Sequence, residues 1–201
     1  MPEYLRMGLV LTIMSVLATA ILAQTDAITQ GPIAAAKREE TLRALEQLLP
    51  KGFTNNPVED TISLADKRLN RKEKPVLFYR ARNGEKNLAT VFMVSAPDGY
   101  SGNIDVLVCL SHDGVVQGVQ IVSHAETPGL GDKVVKVPSW LEFFKGKNLM
   151  NANWAVKKDG GDFDQFAGAT ITPRAIVNAV KRGLEYYNAN RETIFAARSG
   201  S

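Results

Sequence analysis

The sequence predicts an α+β protein, an antiparallel β-meander with flanking helices, preceded by a single N-terminal transmembrane helix. Three observations predict it. Runs rich in β-branched residues flank Asn83-Gly84 and again Asp113-Gly114, dipeptides favoured in tight hairpin turns. Apolar residues recur at helical spacing on either side of that block. Met7 to Ala23 is an uncharged, mostly apolar run near the lower length limit for crossing a bilayer.

Composition sets the bounds. A chain of 201 residues has room for one domain with a real core. Its net charge of +3 is small and dispersed, which gives no nucleic-acid footprint. Cys109 stands alone in an apolar run, so it forms no internal disulfide, excludes a cysteine metal cluster and reads as a packed core thiol. His112 and His124 are too few for a histidine-rich metal centre.

Taken in order, residues 1–6 form a short N-terminus and residues 7–24 an anchor. A cleaved signal peptide is the rival reading, because Ala18-Thr19-Ala20 resembles a cleavage site. The apolar run continues to Ala23, and no Gly, Ser or Pro boundary follows until Gly31-Pro32, which favours an uncleaved anchor. Arg6 is the positive flank, so the N-terminus is expected in the cytoplasm and the remainder across the bilayer.

Residues 25–74 read as helix and linker. Leu42, Leu45, Leu48 and Leu49 give Ile33 to Leu49 a helical period, and Pro50 and Gly52 stop it. Asn55 to Lys74 reads as loop with one short strand at Ile62 and Leu64, its lysines and arginines solvated. Residues 75–190 form the main domain. Four strands are expected there, over 76–82, 88–95, 104–110 and 115–122, apolar enough to be well buried. A helix follows from Lys133 to about Phe144, and Trp154 reads as core. A second helix opens with Thr172 at its N-cap and Pro173 at its first position. Ile176, Val177, Val180, Leu184 and Tyr187 make its apolar face. Residues 191–201 are expected to form a flexible tail.

Two segments stand out chemically. Gly168 and Ala169 carry little bulk ahead of Thr170 and Thr172, at a helix N-terminus whose N–H groups and dipole favour an anion. This reads either as a phosphate site or as a plain cap. His124 and Glu126, two apart at a strand end, suit acid–base work or a buried hydrogen bond, with no nucleophile or metal set beside them in sequence.

Gly168-Ala169-Thr170-Ile171-Thr172, with Asp164 upstream, resembles the (Ser/Thr)-Gly-Ala-Thr-x-Thr flavinylation motif. That motif belongs to the FMN-binding subunits of the Rnf/Rsx electron-transport complexes and of the sodium-pumping NADH:quinone reductases. The segment from His124 to Gly131 resembles the His-x-Glu-Thr-Pro-Gly-Leu-Gly signature of the same subunits. The likeness runs from about Pro97 to Arg182, and the string around Phe163 to Arg174 favours the G subunits of the Rnf/Rsx complexes. One departure is Ala167, where the family usually has Ser or Thr.

The resemblance implies FMN held through a phosphoester to Thr172, attached by a separate flavin transferase that uses FAD and a divalent metal. It implies Glu126, Thr127, Gly129, Leu130 and Gly131 around the isoalloxazine, and Tyr100 and Ser101 reaching the flavin from a Gly-Tyr-Ser-Gly loop. Lys157 or Lys158 reads either as a partner for the phosphate or the ring or as one of a surface pair of lysines. The implied protein sits in the inner membrane with a periplasmic FMN domain, among the other subunits of its complex. It carries electrons in a complex that couples transfer between NADH and ferredoxin to cation translocation, with no catalytic centre of its own. Two readings from other classes compete: an anchored phosphate- or nucleotide-binding scaffold, and a hydrolase using Thr172, for which the sequence places no base.

Overall fold

The computed structural model describes residues 2–196. Backbone contacts divide the chain into two units, Met1–Arg43 and Ala44–Ser201.

Helix α1 spans Glu3–Leu48 and contains one candidate membrane span, Arg6–Thr25, of 20 residues with mean hydropathy 2.0 and no burial within the protein. At about 1.5 Å per residue such a helix covers about 30 Å, the thickness of a bilayer's hydrocarbon core. The hydroxyls of Thr12, Thr19 and Thr25 each bond the carbonyl four residues back, so no threonine donor is left unmet on the apolar helix. The sequence predicts two helical segments here, but one continuous helix forms. Pro32 lies within it and removes a single backbone donor, which is not enough to end a helix this long. Termination waits for Pro50 and Gly52, the latter with φ +99°.

The second unit is built on a five-stranded antiparallel meander with strand order β1-β2-β3-β4-β5. The strands are β1 (Thr61–Leu64), β2 (Val76–Asn83), β3 (Lys86–Ala96), β4 (Ile104–Ser111) and β5 (Val116–Ser123). Both glycine turns close hairpins as their dipeptides dictate, and the short strand at Ile62 and Leu64 pairs with β2. One sheet face carries Phe78, Phe92, Val94, Val106 and Val108 into the main core, with Phe78 stacked on Phe92 at 4.5 Å between ring centroids. The other face carries Ala81, Ala89, Val91 and Cys109 into a smaller cluster with Leu45 and Leu49 at the end of α1. Two covered faces explain why these strands read as continuous apolar runs and not as alternating ones. Burial pushes the Cys109 thiol up to about 12, which makes it the inert core residue expected.

The expected helix from Lys133 to Phe144 is two short ones, α2 (Lys133–Lys136) and α3 (Pro138–Glu142). Pro138 causes the break, because it excludes helical backbone at the residue before it, and Val137 sits at φ −114°, ψ 83°.

Helix α4 spans Ile171–Ala196 and packs on the main-core face, with Val177, Val180 and Leu184 buried. Gly183 lies against β3, where a Cβ would fall 2.8 Å from Val94 Cγ1, so only glycine lets the helix come this close. The flexible tail expected from residue 191 is a correction. The backbone leaves helical geometry at Asn190, yet the helix resumes, and Ile194 and Phe195 are buried. Their carbonyls accept hydrogen bonds from Arg80 (3.1 Å) and Arg82 (3.2 Å), whose guanidinium groups both pair with Asp60. Residues 197–201 of that tail lie outside the described residues.

Candidate functional site

The segment before α4 is a tight turn. Ala169 N–H bonds the Phe166 carbonyl at 3.0 Å, and Gly168, third of the four residues, takes φ +76°, a left-handed value that glycine adopts freely. The helix starts two residues earlier than its threonine and proline suggest. Ile171 is its first residue, and the Thr170 carbonyl accepts the Arg174 N–H at 3.2 Å. Thr170 therefore stands at the cap and Thr172 inside the first turn. Pro173 still costs no helical bond, because first-turn N–H groups have no intrahelical acceptor.

Freed from capping, the Thr172 side chain has another partner. It is 1% exposed and donates its hydroxyl to Glu126 Oε2. Glu126, 5% exposed, comes from the loop after β5. Its Oε1 accepts the Ser101 N–H at 3.0 Å, and its own N–H bonds His124 Nδ1 at 3.2 Å. Thus two loops and the start of α4 meet at one carboxylate, joined across 25 and 46 residues of chain.

Two glycines make room for this contact. A Cβ on Gly131 would lie 2.5 Å from Glu126 Oε2 and 2.8 Å from Thr172 Oγ1. One on Gly99 would lie 2.3 Å from the Gly102 carbonyl and 2.8 Å from Glu126 Oε1. Real Cβ contacts are not this short, so any side chain at either place would push the carboxylate or the loop away.

A cavity of about 120 Å³ opens over the pair. Glu126, Thr127, Leu130 and Gly131 form one wall, Gly168, Ala169, Thr170 and Thr172 the other, and Tyr100 stands at the edge. These nine were all singled out in sequence. Ile171 also lines the cavity and was missed, since at a helix start it reads as a spacer. Gly129 (φ +79°) shapes the turn beside the wall, and Ser101 contributes its backbone N–H. Lys157 and Asp164 are placed differently. They pair with each other at 2.7 Å, with both side chains more than half exposed, and neither lines the cavity. The Asp164 carbonyl accepts the Trp140 Nε1–H at 2.7 Å, which fastens the segment entering the turn.

In sequence Glu126 and Thr172 lie 46 residues apart, yet the fold brings the two into hydrogen-bond contact. Among the described residues, no group of three or more His, Cys, Asp or Glu is placed to hold a metal.

Arg174 secures the first turn of α4 through a two-pronged bond to Asp159, at 2.6 and 2.9 Å. That hydrogen bonding holds the Asp159 carboxyl below its ordinary value. A lowered folded-state pKa means the pair's stabilisation is full above the unfolded value, about 3.9, and is lost as pH falls through the lower folded value. Arg174→Gln is therefore expected to lower Tm slightly at pH 7, where the exposed pair is fully formed, and to converge with wild type below about pH 4, which flattens the acid limb of the Tm-versus-pH curve. An unaltered acid limb in the variant would contradict this.

Residues 99–185 match the family described as FMN-binding domain, and residues 3–48 match the RnfG N-terminal region. The first match contains the whole cavity. The chain is 44% identical over 197 residues to the G subunit of the ion-translocating oxidoreductase complex of Pseudomonas aeruginosa, covering 96% of this chain and 92% of that protein. It is 41% identical over 195 residues to the protein so named from Pseudoalteromonas atlantica, covering 94% and 91%. With that from Vibrio cholerae it shares 37% over 191 residues, covering 93% and 91%.

Proposed function

The chain belongs to the family of G subunits of ion-translocating oxidoreductase complexes, and from that premise we propose that it is an electron-transfer flavoprotein whose FMN is joined to Thr172 by a phosphoester. One observation carries the attachment site. Thr172 is a buried hydroxyl that faces a cavity, sits in the first turn of a long helix and is bonded to a carboxylate.

The residues present fit such a group. The first-turn N–H groups and the positive end of the α4 dipole face a phosphate at Thr172. Gly131, Gly168 and Ala169 leave space for its approach. At about 120 Å³ the cavity holds the phosphate end, whereas whole ligands of flavin size need about 300 Å³ or more. Leu130, Ile171 and Tyr100, all exposed, offer apolar and aromatic surface at its mouth for the ring. Thr127 and Gly129 would contribute backbone groups there, with Ser101 holding the loop. We assign Lys157 and Asp164 to fastening the turn and not to direct contact. The cofactor supplies the redox chemistry, and the protein fixes its place and electrostatic surroundings.

In this reading α1 crosses the inner membrane once with Arg6 on the cytoplasmic side, and the FMN domain lies in the periplasm. A flavin transferase outside the cytoplasm loads the protein. The remaining subunits pass electrons to and from it, coupling transfer between NADH and ferredoxin to cation movement. A covalent link has a clear physical use, since a shallow site outside the cytoplasm would otherwise lose its flavin by dissociation.

The test is intact mass of the full-length protein produced with a periplasmic flavin transferase, alongside flavin fluorescence after denaturing electrophoresis. One FMN per chain, less water, with fluorescence that survives denaturation is the expected result. No adduct, beside a transferase active on a control substrate, would overturn the carrier reading in favour of a reversible phosphate-binding module.

A further inference from the structure

We propose that Glu126 is the proton acceptor that makes Thr172, and not Thr170, the residue that takes the flavin phosphoryl group. The inference rests on the reading of Thr172 as the attachment site and adds the residue that activates it. The more accessible hydroxyl is the wrong one: Thr170 is partly exposed, Thr172 only 1%. Accessibility therefore does not choose between them, and local chemistry does. Thr172 Oγ1 is in hydrogen-bond contact with Glu126 Oε2, whereas among the described residues the Thr170 hydroxyl has no carboxylate partner. A threonine hydroxyl is a weak nucleophile until a base takes its proton.

Glu126 is held for that task. The Ser101 N–H fixes Oε1 at 3.0 Å, which leaves Oε2 turned to the threonine. The bond from its own N–H to His124 Nδ1 fixes its backbone, and the bare Cα atoms of Gly99 and Gly131 leave the carboxylate its space. A nucleophile, a base in contact with it and a third group orienting the base form the arrangement seen in activated hydroxyls generally.

The step balances. Thr172 Oγ1 forms a bond to the flavin-side phosphorus of a flavin adenine dinucleotide, the co-substrate presented by the transferase. The phosphorus–oxygen bond to the adenylate side breaks, its electron pair leaves with AMP, and nothing is oxidised or reduced. The hydroxyl proton passes to Glu126 Oε2.

The test uses full-length protein with purified transferase, FAD and magnesium ion, following adduct formation by intact mass over time. Glu126→Gln keeps the shape of the side chain and its acceptor for the Ser101 N–H but cannot take the proton. Its rate at saturating acceptor protein is expected to fall by about 100-fold or more, the usual scale for a lost general base, with the half-saturating concentration unchanged. Thermal unfolding of the unloaded variant establishes that it is folded. Should it not fold, Gly131→Ala replaces it, because the added Cβ forces Oε2 away from Oγ1 while the chain keeps both the carboxylate and the hydroxyl. A folded Glu126→Gln, or failing that Gly131→Ala, that loads at the wild-type rate would overturn this inference alone. A wild type with no adduct beside an active transferase would overturn the attachment reading and this inference with it.

Discussion

Thr172→Ala is expected to carry no flavin that survives denaturation, while Thr170→Ala keeps a full equivalent. Loss should be complete rather than partial, because the substitution removes the bonding atom itself. Among the described residues, no other hydroxyl is bonded to the Glu126 carboxylate. Thr172→Ser restores that atom and should load. The alanine variant also deprives a carboxylate that is 5% exposed of one hydrogen-bond donor, which costs about 1–3 kcal/mol of stability. Circular dichroism at the assay temperature must therefore accompany the mass measurement. A folded Thr172→Ala that still fluoresces after denaturation would place the link elsewhere, with Thr170 first in line.

The largest stability effect is expected far from the cavity, at Asp60. Arg80 is fully buried and Arg82 nearly so, and Asp60 supplies a countercharge to both. Burial pulls the Arg80 guanidinium below its ordinary value, against the opposing influence of Asp60. Asp60→Asn keeps the volume but withdraws that countercharge from two adjacent buried cations. Breaking a buried pair in this way costs about 3–5 kcal/mol. For a domain of this size that lowers Tm by about 10 °C, at about 2–4 °C per kcal/mol. Arg71→Ala is the control, since its bond to Asp98 lies on the surface with both side chains well exposed and is worth under about 1 kcal/mol. Equal melting curves for Asp60→Asn and wild type would show that the cluster contributes nothing net.

The parts of the fold fixed by neighbours in sequence were legible in it. The two glycine turns, the apolar strands they join and the amphipathic stretch from Ile176 to Tyr187 are local patterns, and each forms where expected. Boundaries that depend on one residue's backbone were less so. Pro138 splits a helix that its apolar spacing runs together, while Pro32 does not. The packing of Ile194 and Phe195 was hidden because it is made by arginines on β2, more than 110 residues earlier. Eight of the cavity residues were named from two motifs and Tyr100 from a separate loop, but what joins the motifs was not. Nothing in either segment says that Glu126 touches Thr172, because only the folded sheet and α4 bring them together.

Helix α4 has one more consequence, which concerns the order in which the chain is made. The meander is complete by Ser123, yet the helix that packs on Phe78, Phe92 and Val94 begins only at Ile171, and Arg80 and Arg82 find their carbonyl partners at Ile194 and Phe195. During synthesis, at about 5–20 residues per second, that sheet therefore waits several seconds with Phe78, Phe92 and Val94 uncovered. The arrival of α4 both covers that face and brings Thr172 to its carboxylate. Chains cut before α4 lack the contact between Glu126 and Thr172, so flavin loading, on the attachment proposed above, is expected only in chains that carry the folded helix.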